Sequence, residues 1–265
     1  MPKKVVPEAE RRRRRPTRQG TVLSEGLIVR TALRMLHEHG AAGLTARRLG
    51  AALGADPSTL YRYFAGLDGL TRAIGEELMG RALDSWTPTG KWRADLRALG
   101  LAIHASYLAH PHAALLTASR VTGRPREIAV DETILGILRG AGFDDADAVG
   151  VYHAFIDLTL AFAALDAGAL AIKDEDREAD EEVWTSTYAR LPAETHPHIA
   201  ATAHLLADRM NLSAYPVVLD TLLGQAEARL AGGSSARRTR PGEPCAASGG
   251  PRTDEAVRYG RSPAQ

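Results

Sequence analysis

Residues 45–64 read TARRLGAALGADPSTLYRYF, and the rest of the chain is read outward from this stretch. It holds two helix starts separated by a glycine-centred turn. Thr45 stands at an N-cap position, with Leu44 and Leu49 spaced as a hydrophobic staple around it. That helix stops at Gly54. Asp56 then offers a second N-cap, and Pro57 follows at the first helical position, where a missing N–H costs nothing. Leu60 and Phe64 are four apart and face inward, which leaves Ser58, Tyr61 and Arg62 pointing away. A core helix of this length would hold Leu, Ile or Ala, and an ordinary surface helix Glu and Lys. Tyrosines and an arginine on an outward face ask for another role.

Upstream, Ser24 caps a third helix, with Leu23 and Ile28 as its staple. Ile28, Ala32, Met35 and Leu36 form its apolar stripe, and Gly40 closes it. Three capped helices, the last two joined by a tight turn at Gly54-Ala55, make a helix-turn-helix pattern. In that geometry the second helix of the pair lies in the DNA major groove.

Downstream, helical patterning covers residues 67–85, 93–110, 111–119, 126–140, 144–171, 197–210 and 213–230, and no strand alternation is found. The expected fold class is all-α: a three-helix DNA-binding domain followed by a helical domain. Residues 173–182 are nearly all acidic and read as a solvated loop or helix start. Residues 149–170 are apolar on nearly all sides, the mark of a helix buried between neighbours. Together with 213–230 they are the candidate four-helix interface of a homodimer. Trp86 and Trp92 flank the turn at Pro88 and are expected beneath the DNA-binding head. The expected units are a disordered basic arm (1–19), the helix-turn-helix domain (20–68), a helical ligand-binding and dimerisation domain (69–231) and a disordered tail (232–265), the last too poor in apolar residues to fold.

The net charge of +1 hides an asymmetry. Residues 1–18 carry eight Lys and Arg, including Arg11, Arg12, Arg13, Arg14 and Arg15, against two Glu, a net +6. Residues 232–265 carry six Arg against three acids, a net +3, which leaves −8 for the body. A basic arm on an acidic body marks nucleic-acid contact or, equally, a solvated tail. With no run of eighteen apolar residues and no apolar leader segment, no membrane partner is expected. The single cysteine, Cys245, cannot form an internal disulfide, so a cytoplasmic setting is the simplest expectation.

The stretch GLTARRLGAALGADPSTLYRYFAGLDGLTRAI resembles the DNA-binding domain of the tetracycline-repressor (TetR) family, over about 45 residues from Ser24 to Leu70. The resemblance implies a dimeric transcription regulator, most often a repressor, that binds a palindromic double-stranded DNA operator and is released by a small-molecule ligand. It implies roles by position: Thr45 to a phosphate, Arg47 to a base edge or phosphate, Pro57, Ser58 and Tyr61 along the groove, and Tyr63 near the DNA backbone. The family often carries a lysine after this helix that grips a phosphate, and here that position is Leu67. Arg48, Arg62 or the arm are the expected replacements.

The chemistry of these residues agrees with those roles. Arg47 presents a fork that suits guanine, worth about 1–3 kcal/mol of discrimination for a good pair. The Tyr61 ring suits a thymine methyl. A flexible run such as Arg11–Arg15 suits a neighbouring minor groove. In the body, His153 and Asp157 lie four apart, and His104 stands near His110 and His112. His104, His153 and Asp157 are the candidate ligand contacts, although structural roles are commoner for such residues. No metal-ligand spacing, phosphate loop, nucleophile elbow or cofactor motif is found, so neither an enzyme nor a cofactor is expected. A regulator without a ligand, or a non-specific nucleic-acid binder, stays open as an alternative. Deleting residues 1–18 should weaken DNA binding and lower the slope of log affinity against log salt by several units. A salt titration with an unchanged slope would remove the arm from the mechanism.

Overall fold

The computed structural model describes residues 22–209 and 212–238, so Arg11–Arg15 and the rest of the basic arm lie outside the described residues. Every regular element among the described residues is a helix. The head consists of α1 (Glu25–Gly43), α2 (Ala46–Ala52) and a 3₁₀ helix (Pro57–Arg62). Ser24 caps α1 by accepting from the Leu27 N–H at 3.2 Å, and Thr45 caps α2 by accepting from the Arg48 N–H at 3.2 Å. The α1 stripe of Ile28, Ala32, Met35 and Leu36 is buried, and α1 is kinked at Gly40.

The outward-facing helix is 3₁₀ rather than α. It spans only six residues and opens on a proline that has no N–H to give. Thr59 N–H therefore bonds to the Asp56 carbonyl and Tyr63 N–H to the Leu60 carbonyl, at 2.9 and 3.0 Å. The poorer geometry of such bonds is offset by burying Leu60 and Phe64, about 1.5–3 kcal/mol each.

The body runs through α3 (Gly66–Ser85), α4 (Trp92–Leu108), α5 (Pro111–Thr117), α6 (Pro125–Ala141) and α7 (Asp145–Ala171) to α10 (Tyr215–Arg238). Central α7 packs against α4, α5, α6 and α10, while α3 packs against α1 as well as α4, α5 and α6. Between α7 and α10 stand α8 (Asp174–Glu182), a π-turn (Val183–Thr187), a 3₁₀ turn (Tyr188–Arg190) and α9 (Pro197–Arg209), none of which buries a residue. The acidic stretch is thus a helix, α8, with Asp174, Glu175 and Asp176 placed favourably in its first turn.

Two loops use one device. Before α4, the buried Asp95 carboxylate accepts from Thr89 N–H and Oγ1 at 2.7 Å each and from Gly90 N–H at 3.0 Å. Before α6, the buried Glu127 accepts from Thr122 N–H at 2.9 Å, Thr122 Oγ1 at 2.7 Å and Gly123 N–H at 2.6 Å. Each Thr-Gly turn is bound to an acid in the first turn of the helix that follows. Burial pushes the Asp95 carboxyl up, but the bonds from Thr89 and Gly90 outweigh it and hold it below its ordinary value.

Two expectations need correction. Trp86 and Trp92 are not beneath the head. Twenty residues of α3 carry the chain about 30 Å away; there Trp86 donates to the Asp95 carbonyl and Trp92 meets Phe143 edge-on at 5.5 Å. The tail expected from residue 232 begins as helix, since α10 continues to Arg238. Extending an existing helix costs less than nucleating one. By length and composition α7, with 27 residues, is apolar enough to cross a membrane. Its packing on four helices covers part of that apolar surface.

Asp95→Ala should lower unfolding free energy by about 1–3 kcal/mol in urea titrations at neutral pH. Because the folded-state pKa is depressed, the difference from the parent should shrink as pH falls below 3.8, the ordinary Asp value.

Candidate nucleic-acid interface and regulatory core

The side chains assigned to DNA mostly lie where solvent reaches them. Thr45, Arg47, Arg48, Ser58, Tyr61 and Arg62 are exposed, Tyr61 to 60%, while Leu49, Leu53, Leu60 and Phe64 hold the opposite sides of α2 and the 3₁₀ helix in the core. An exposed tyrosine of that size beside cations suits an aromatic and phosphate-bearing partner. The Thr45 oxygen accepts from Arg48 N–H, which leaves its own O–H free to donate outward. The Ser58 N–H is taken by the Asp56 carboxylate at 2.8 Å, so Ser58 offers only its hydroxyl.

Pro57 is half-buried against α2 and shapes the turn. Tyr63 is half-buried too, and its hydroxyl donates to the Leu23 carbonyl at 3.0 Å, tying the end of the 3₁₀ helix to the residue before the α1 cap. Leu67 is 41% exposed at the start of α3, followed by Asp68, whose carboxylate binds Arg72 and Arg120. The hydrogen bond from Arg72 leads in holding the Asp68 carboxyl below its ordinary value. No cation stands at either position. A groove between α1 and α2 that includes Arg34 and Arg48 was not legible in the spacing.

In the body the three candidate ligand residues are not brought together. His104 is buried on α4, where its Nε2 meets Asp166 of α7 at 2.8 Å and its ring stacks on Tyr215 at 4.5 Å. Ser213 also donates to Asp166, and the Tyr215 hydroxyl is 2.8 Å from Thr159 Oγ1. Burial pushes the Tyr215 hydroxyl up to about 12. This cluster pins the start of α10 to α4 and α7. His153 and Asp157, by contrast, are exposed on the outer side of α7.

A second polar group lies between α4, α5, α6 and α7. Burial, then the nearby Glu127 charge, raises the Tyr107 pKa, while Thr117 hydrogen-bonds its hydroxyl. Burial also raises Asp131, against the opposing hydrogen bond from Tyr152. Of these residues none was singled out from sequence, because each is one polar residue in an apolar stripe and only the packing brings them together.

Head and body are joined by charge as well as by α3. Arg124, ahead of α6, binds Glu25 of α1 at 3.0 Å and also Glu76 of α3. Arg72 donates to the Val121 carbonyl at 2.6 Å. The loop before α6 therefore holds the first turn of α1 and the middle of α3 at once.

Comparison with known proteins agrees with this two-part architecture. Residues 28–74 match the family described as bacterial regulatory proteins, tetR family. Residues 86–224, more than half of the chain, match the tetracyclin repressor-like C-terminal domain. The class C tetracycline repressor protein of Escherichia coli is 29% identical over 173 residues, 64% of this chain and 77% of that protein. A possible TetR family regulator from Streptomyces coelicolor A3(2) superposes with a TM-score of 0.65 at 29% identity, covering 78% of this chain and all of that one. ActR of Streptomyces coelicolor, solved in complex with actinorhodin, shares the fold with a TM-score of 0.67 at 20% identity, over 78% of this chain and 96% of that one. An exposed polar face on a capped three-helix head, a body matched over residues 86–224 and relatives of the same family make this chain a member of the tetR family, a DNA-binding transcription regulator.

Proposed function

We propose that the chain is a repressor that binds a palindromic operator as a homodimer and leaves it when a small molecule enters the body. The observation that carries this reading is the exposed set Arg47, Ser58, Tyr61 and Arg62 on a head whose other side is core. Arg47 and Tyr61 read base edges, while Thr45, Arg48 and the arm grip phosphates. Support for the dimer comes from α7 and α10. Val149 and Leu165 on α7 and Val217 on α10 are 47%, 67% and 64% exposed, on helices whose other faces are buried. A second copy turned by a two-fold axis covers those faces and sets the spacing of the two heads.

The ligand reading rests on the relatives' names and on the polar group of Tyr107, Asp131 and Tyr152 between the helices of the body. A ligand that prefers a body geometry with mis-spaced heads lowers DNA affinity by its differential binding. The protein acts by binding, without catalysis, in the cytoplasm where its operator lies.

Selection of bound sites from random DNA should return a short palindrome for the parent chain. Arg47→Ala and Tyr61→Ala should each relax the preference at one symmetric pair of positions, with Arg47→Ala costing about 1–3 kcal/mol at its base. If both variants kept the parent's preferences, the assignment of the reading face would be wrong. Sedimentation at micromolar concentration should give a dimer, and Leu165→Glu with Val217→Glu should give a folded monomer. A monomeric parent would remove the α7 and α10 interface.

A further inference from the structure

His110 forms the corner between α4 and α5, and its Nε2 lies 2.7 Å from Arg81 Nη1 on α3. A guanidinium carries only donors and keeps its proton at any ordinary pH. Nε2 must therefore be the acceptor, which makes the ring neutral with its proton on Nδ1. A proton on Nε2 would remove the acceptor and set a second cation against Arg81.

The surroundings reinforce this. Arg81 is held by Glu77, one turn earlier on α3, at 3.0 Å. His37 of α1 adds its influence from the head side. Burial first, then Arg81 and His37, keep the His110 imidazole below its ordinary value, with Glu77 offsetting part of the effect. Two residues on, the His112 ring lies 3.7 Å from where a side chain on Gly40 of α1 would begin. One corner thus touches the connecting helix and the head together, and α5 packs on α1.

We propose that a proton on His110 is a second input to this regulator: mild acid breaks the Arg81–His110 bond, loosens the head from the body and weakens operator binding. The inference rests on the DNA-binding reading above. The closed joint disfavours the proton and an open joint accepts it, so acid drives opening. The contribution of the bond is complete above the ordinary histidine value of 6.5 and is lost as pH falls below it. One proton per subunit limits the effect to about tenfold per pH unit in each opening equilibrium.

The test compares the parent with His110→Gln, whose amide oxygen accepts from Arg81 and does not titrate. Fluorescence anisotropy with the selected palindromic duplex, at constant ionic strength from pH 8 to pH 5.5, should give equal affinities at pH 8. The parent should then weaken about tenfold more than the variant at the acid end. Parallel profiles would overturn the proposal, because other histidines would then carry the whole dependence. Nitrogen NMR of the parent without DNA should show His110 as the Nδ1–H tautomer at pH 8, and an Nε2–H tautomer would overturn it directly. If no duplex bound at any pH, the DNA-binding reading would fall, and the tautomer and its titration would still decide the joint.

Discussion

The exposed face of the head depends on a side chain that is absent. A Cβ at Gly50 would lie 2.9 Å from the Ala55 carbonyl oxygen and 3.1 Å from the Pro57 nitrogen, both backbone atoms that cannot step aside. The hydrogen at this position lets α2 and the 3₁₀ helix touch backbone to backbone. Gly54, with φ of 61°, supplies the left-handed residue that the turn between them needs. With that contact in place, Leu49, Leu53, Leu60 and Phe64 close one core, and the direction in which Tyr61 and Arg47 point follows from it.

The head is small and depends on the body for support. Helix α3 belongs to both, and charged contacts around Arg124, Arg72 and Asp68 add to it at half-exposed positions. Singly, such pairs are worth about 0–1 kcal/mol. That weakness suits their place. Coupling between a ligand site and a DNA site needs only about 1–3 kcal/mol, and contacts of this size can be exchanged without unfolding either part. The buried clamps at Asp95 and Glu127 work at the other extreme, each fixing the turn that leads into a helix of the body.

What was legible in the sequence was local. Ser24, Thr45 and Asp56 announced caps because a cap is settled within three residues, and the α1 stripe followed from spacing alone. The helical fold and the family were legible for the same reason, since the motif from Thr45 to Phe64 is compact. The 3₁₀ winding was not, because cap and stripe look alike in either helix. Contacts such as Arg124 with Glu25, Arg81 with His110 and His104 with Asp166 join residues 99, 29 and 62 apart. No periodicity encodes them. The Thr-Gly turns and their acids were within reach, since Thr89-Gly90 before Asp95 and Thr122-Gly123 before Glu127 repeat one arrangement.

The bond from the Tyr63 hydroxyl to the Leu23 carbonyl has a geometric consequence. It fixes the point from which the preceding chain departs, at the end of the 3₁₀ helix and not at some remote edge of the head. Arg15 stands eight residues before Leu23, so it cannot stray more than about 30 Å from that point, even fully extended. Within a volume of that radius a tethered group meets its target at an effective concentration on the order of millimolar. If Tyr61 meets DNA as proposed, five arginines bounded in this way would need little affinity of their own to reach the same duplex.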